Sequence, residues 1–194
     1  HLVKSNEQVL VFRNTVDLSE KTASRITSRM SSSKPALKAL SQLGDLEETA
    51  TKAKLQDCLR RGVGFHNSDL TAEERFVVER GFRDGEVRVV CSTPTLAMGV
   101  NLPARTVIIA DTTEWVGRNQ EPLQVGTYRN MAGRAGRYAF NDDFGRSILL
   151  ASTPHDRDSY ERMYIYGHPE AFSSRLAASP FELQILDLVT TRLC

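Results

Sequence analysis

The sequence predicts an α/β fold, a mostly parallel sheet with helices on both faces, followed by a partial helical extension. Three observations predict it. Short apolar runs of strand length recur at residues 8–13, 63–65, 87–91, 106–110 and 147–150. Stretches with helical spacing of apolar residues lie between them, and that alternation marks βαβ units. Polar segments follow several of the runs directly, as loops at strand ends do.

Each element has its own reason. Residues 8–13 (QVLVFR) form the first strand. Residues 15–30 predict a helix, because Val16, Ala23, Ile26 and Met30 are spaced for one face. Three serines and Pro35 break it. Asp45 is placed to cap a second helix running to about Arg61, where Gly62 ends it. Residues 63–65 read as a brief strand. Thr71 and Glu74 form a capping-box pattern that opens a helix carrying Phe76, Val77 and Phe82. Residues 87–91 and 106–110 are two further strands. Pro122 is expected to start the next helix, and residues 147–150 to form the last strand. From about residue 151 the pattern is mainly helical, so the chain divides into residues 1–152 and an extension, 153–194.

Open parallel sheets place ligands beyond the carboxyl ends of their strands. Arg13-Asn14-Thr15, His66-Asn67-Ser68-Asp69 and Ser92-Thr93-Pro94-Thr95 each follow a strand, so all three are predicted to emerge on one rim. The plainer reading of any single loop is a turn or an N-cap.

Bulk numbers bound the function. The 194 residues suffice for one good-sized core or a domain with an appendage. Hydrophobic and charged fractions of 40% and 25% are ordinary for a globular protein. With a formal charge of +1, nucleic-acid contacts must come from a local patch or from backbone amides. The three cysteines, Cys58, Cys91 and Cys194, have no metal-ligand spacing and suggest a reducing, intracellular setting. No metal site of the chain's own is expected. No apolar run reaches membrane-spanning length and no signal peptide is visible, so no membrane partner is expected. The first residue is His1, and residues 181–189 read as an amphipathic helix cut off at Cys194, so both ends look like cuts through a longer protein.

The most informative stretch is Asn130-Met131-Ala132-Gly133-Arg134-Ala135-Gly136-Arg137. Two arginines stand three apart, each preceded by glycine, where a helix is ending. Arginines at that spacing share a side of a helical turn. Their guanidinium forks match phosphate oxygens bidentately and stay charged at any physiological pH. Glycine permits close backbone approach. The alternative is arginine complementing a helix C-terminus.

The order of segments resembles the second RecA-like domain of superfamily 2 helicases, in the Ski-like branch of the DExH group. Residues 9–15 resemble motif IV, residues 64–71 with Glu74 and Arg75 the motif that follows, residues 92–104 motif V, and residues 130–137 motif VI. Residues 160–163 resemble the lead into a winged-helix domain. Two departures stand out: Asn130 where motif VI usually begins with glutamine, and a 66–69 segment lacking the second histidine and the glycine of the usual pattern.

The resemblance implies a three-layer RecA-like sandwich and the second half of an ATP-dependent helicase or translocase. ATP and Mg2+ would be held mainly by a first RecA-like domain. The chain has no G-x-x-x-x-G-K-[ST] and no Asp-Glu dipeptide, so it is expected to be inactive alone. The resemblance makes Arg134 and Arg137 catalytic, with Arg137 the arginine finger. It places Asn130, Gly133, Gly99 and Asn101 beside the nucleotide. It gives Asn14, Thr15, His66, Thr93 and Thr95 to single-stranded DNA or RNA on the opposite rim. By the residues alone, a lone histidine is more often structural, and Trp115, between motifs V and VI, is expected to pack on its own domain. The alternatives are a non-catalytic RecA-like scaffold or binding module. A dinucleotide enzyme is set aside, because Gly62-Val63-Gly64 is only a fragment of its glycine fingerprint.

Overall fold

The computed structural model describes residues 7–30, 34–94, 102–136 and 144–171. Five strands form one sheet: β1 (Val9–Phe12), β2 (Val63–His66), β3 (Val89–Ser92), β4 (Thr106–Ile109) and, later in the chain, β7 (Arg146–Leu149). Their order is β2-β3-β1-β4-β7, and every neighbouring pair is parallel. All residues of β1, β2 and β3 are buried. That is why these runs show no polar alternation: a parallel sheet covered on both faces needs apolar groups on both.

The register levels the strand ends. Phe12 lies beside Ser92 on one side and Ile109 on the other, and His66 lies beside Ser92. All the carboxyl ends therefore face one edge of the sheet, and Glu7, Arg88, Arg105 and Arg146 mark the amino edge.

The helices are α1 (Val16–Arg29), α2 (Leu37–Gly44), α3 (Lys52–Leu59), α4 (Ala72–Arg83), α5 (Val125–Ala132) and α6 (Pro154–Tyr160). Thr15 caps α1, its Oγ1 accepting the Leu18 N–H at 3.2 Å. Thr71 and Glu74 form the complete capping box of α4. Leu43, Leu55, Leu59, Val78 and Phe82 pack with the sheet into one core.

Two sequence expectations are corrected. Asp45 does not cap a helix running to Arg61. It closes α2, donating its N–H to Ser41, and α3 starts at Lys52, whose N–H is accepted by Thr49 Oγ1 at 3.0 Å. Gly62 does end α3, with φ at 65°. Pro122 does not start a helix. It ends β6 (Asn119–Pro122), which pairs antiparallel with β5 (Thr113–Val116) in a hairpin turned by Gly117 at φ 64°. Proline is tolerated at the end of such an edge strand, where its missing donor costs nothing.

The extension packs onto the domain as far as it is described. Thr153 and Asp156 cap α6, which passes into a π-helical turn, Glu161–Ile165. Tyr164 is buried there, its ring 5.0 Å from that of Tyr128 and its hydroxyl donating to the Thr112 carbonyl at 3.2 Å. Burial pushes the Tyr164 hydroxyl up to about 12.

Candidate functional site

Two edges of the sheet carry the candidate residues. At the carboxyl edge the chain leaves β1 toward β2 but leaves β4 toward β7, so β1 and β4 flank a topological switch point. Arg13 and Asp111 close it. Arg13 Nε donates to Asp111 Oδ2 at 2.7 Å and Nη2 to Oδ1 at 3.3 Å. Asn14 donates its N–H to the same carboxylate at 2.9 Å and its Nδ2 to Thr113 Oγ1 at 3.2 Å. Thr15 is committed to capping α1. Thr93 is buried on this edge, its N–H donating to the His66 carbonyl at 3.4 Å.

His66 belongs to the same edge by its backbone, but its ring turns inward. It is 6% exposed and its Nε2 lies 2.9 Å from Glu79 Oε1. Burial lowers its pKa, and the bond to Glu79 opposes that. The ring thus ties α4 to β2. Asn67 is buried beside it, donating to Ser19 Oγ at 3.1 Å and Glu20 Oε1 at 3.4 Å, with Glu20 in turn paired to Lys54 at 2.9 Å. The sequence did not single out Asp111 or Glu20, and marked Asn67 only as part of the rim loop after β2. Of the first two, only Asp111 left a signal, a carboxylate just past a strand.

The β5–β6 hairpin rises from this edge. Trp115 at its tip is 54% exposed, so it does not pack on its own domain as expected.

Helix α5 connects the two edges. It starts at the carboxyl edge, where the Leu123 N–H meets the Thr112 carbonyl, and runs back to the amino edge. There the Ala104 N–H donates to the Arg134 carbonyl at 3.0 Å and the Gly136 N–H to the Ala104 carbonyl at 2.8 Å. Ala104 and Ala135 thereby pair in parallel. Gly136 has φ at 63°, and a side chain there would run into the backbone of Gly145. The glycine is required by conformation and by space. Arg134 is 8% exposed on this ledge, and Asn130 and Gly133 are exposed on the turn before it. Arg137, Gly99, Asn101 and Thr95 lie outside the described residues.

More charge gathers on the amino edge. Glu7 lies 3.7 Å from Arg105 and 3.6 Å from Arg146 and accepts from Thr106 Oγ1 at 3.1 Å. Both guanidiniums lie over the Phe144 ring, at 4.9 and 5.8 Å from its centre. Among the described residues, no group of three or more His, Cys, Asp or Glu comes together as metal ligands would. Nor is any described helix long and apolar enough to cross a membrane.

A parallel five-stranded sheet in the order β2-β3-β1-β4-β7, with helices in crossover between its strands, makes this a RecA-like α/β domain. The chain belongs to the family described as Helicase conserved C-terminal domain, which matches residues 1–139. It is similar to the ATP-dependent DNA helicase Hel308 of Methanocella arvoryzae, with 39% identity over 96% of the chain and 26% of the relative. The protein of that name from Pyrococcus horikoshii is 37% identical over 97% of the chain and 27% of its own length. The one from Pyrobaculum calidifontis is 37% identical over 92% and 26%. The chain thus spans about a quarter of the length of these relatives.

Proposed function

We propose that this chain is the second RecA-like domain of an ATP-dependent DNA helicase of the Ski-like branch. In this reading ATP and Mg2+ sit mainly on a first RecA-like domain of the same longer protein. Arg134 and Arg137 reach the γ-phosphate from across the cleft, with Asn130, Gly133, Gly99 and Asn101 beside them. The sequence suits that division: it carries the Gly133-Arg134-Ala135-Gly136-Arg137 segment and no phosphate loop. Single-stranded DNA lies along the carboxyl edge, held at its phosphates by the side chains of Asn14, Thr15, Thr93 and Thr95, without base readout. His66 supports that edge from inside. The segment after residue 152 leads into a winged-helix domain.

One observation carries the reading: the arginine ledge and the polar rim lie at opposite ends of the same strands, tied together by α5. Closure on ATP at one edge then shifts the other, and loss of the γ-phosphate releases it. The names of the relatives support DNA over RNA.

The test is Arg137→Ala in the longer protein, with DNA-stimulated ATP hydrolysis as the readout. An arginine finger is worth about 10³–10⁵ in rate, so activity should all but vanish while the thermal midpoint holds. Turnover within a few-fold of the unmodified enzyme overturns the assignment and favours a scaffold.

A further inference from the structure

We infer that Glu170 is a positioning residue for the arginine ledge, acting through α5. Its carboxylate accepts the Val125 N–H at 2.7 Å and the Gly126 N–H at 3.0 Å, the first two amides of that helix. These amides have no partner within a helix, and a carboxylate there also meets the positive end of the helix dipole. The same bonds hold Glu170 below the usual carboxylate range.

The grip continues along the helix. Arg129 donates to the Gly167 carbonyl at 2.7 Å. Tyr164 packs its ring on Tyr128 and its hydroxyl on the Thr112 carbonyl, and Tyr160 accepts from Thr112 Oγ1 at 2.9 Å. Glu114 takes the Gln124 N–H at 2.9 Å, adding a second carboxylate at the helix start. Residues 160–170 thus form a strap along α5, fixed at its first turn and its middle.

The far end of α5 is the ledge. Gly133, Arg134 and Ala135 continue its last turn with bonds to Arg129, Met131 and Ala132, and Arg134 then pairs with Ala104. Eight residues of helix span about 12 Å and do not stretch. A slide or a turn of the helix at Glu170 is therefore delivered to Arg134. This inference rests on the proposed role of the ledge in ATP hydrolysis.

The experiment uses the longer protein and three variants, Glu170→Ala, Glu170→Gln and Arg137→Ala. Misplacing a reacting group by about 1 Å costs up to about 100-fold. For Glu170→Ala, kcat for ATP should fall about 10- to 100-fold, with KM for ATP within about two-fold and the thermal midpoint little changed. Glu170→Gln keeps an acceptor oxygen and should restore part of kcat. If Arg137→Ala is inactive while Glu170→Ala turns over normally, the positioning role is wrong and the ledge reading stands. If Arg137→Ala is active, the ledge reading itself fails. A loss in Glu170→Ala that matches its unfolded fraction, with no rescue by glutamine, also overturns the positioning role.

Discussion

The guanidinium of Arg13 and the carboxylate of Asp111 meet at 2.7 Å across the gap between β1 and β4, although 98 residues separate them in the chain. Asp111 also holds the Asn14 N–H, so one carboxylate organises two residues of the proposed DNA-gripping edge. Both side chains are about four-fifths covered. Asp111→Ala leaves a part-buried guanidinium without its carboxylate and an amide without its acceptor. The expected loss is about 2–3 kcal/mol, read from chemical denaturation. Removing both partners, as Arg13→Met with Asp111→Ala, should cost less than the sum of the two single changes.

The His66–Glu79 pair predicts a pH dependence. Burial depresses the His66 pKa from 6.5, and Arg75 adds to that, while Glu79, which Arg83 also contacts at 3.4 Å, works against it. The folded state therefore binds the proton less readily than the unfolded state. Stability is full above 6.5 and falls as pH drops from there through the folded pKa, by at most about 1.4 kcal/mol per pH unit for one proton. His66→Gln should remove this part of the slope. An unchanged slope in denaturation between pH 7 and 5 would show that the ring does not titrate in this way.

Gly136→Ala should damage the ledge specifically. The left-handed backbone alone costs about 1–3 kcal/mol for a residue with a Cβ, and the added methyl meets Gly145. The Gly136–Ala104 hydrogen bond is the nearest thing to yield. ATP hydrolysis in the longer protein should fall by more than the stability loss explains. Gly117→Ala, also at positive φ but in open space, is the control.

Trp115 is the one tryptophan of the chain and stands half in water. Its emission should be red-shifted in the isolated domain and quenched on adding single-stranded DNA, since base stacking on an aromatic is worth about 1–3 kcal/mol. Trp115→Ala should change stability by less than about 0.5 kcal/mol and weaken DNA binding or unwinding. Emission that ignores DNA would remove the hairpin from the binding edge.

Local signals were the legible ones. The apolar runs marked all five parallel strands, and Thr71 announced its helix because a cap works within four residues. The shared rim followed from parallel pairing alone. What stayed hidden depended on partners far away in the chain. Asp45 looks like a cap, but only packing decides that α2 ends there. Pro122 reads as a helix start unless the hairpin pairing it with Thr113 is known. His66 reads as a rim residue until Glu79, 13 positions on, draws it in. Glu170 carries no motif, because its role exists only once it meets Val125 and Gly126.

Ala104 precedes β4 and Asp111 follows it, seven residues apart. An extended strand covers that in roughly 23 Å. β4 is thus a ruler that sets the distance between the Ala104 ledge and the Asp111 rim. On the proposed reading, a triphosphate at one end and a DNA backbone at the other would be two anions held apart by the length of this strand. On that reading, β4 and the helix α5 beside it are the stiff elements through which one end moves the other.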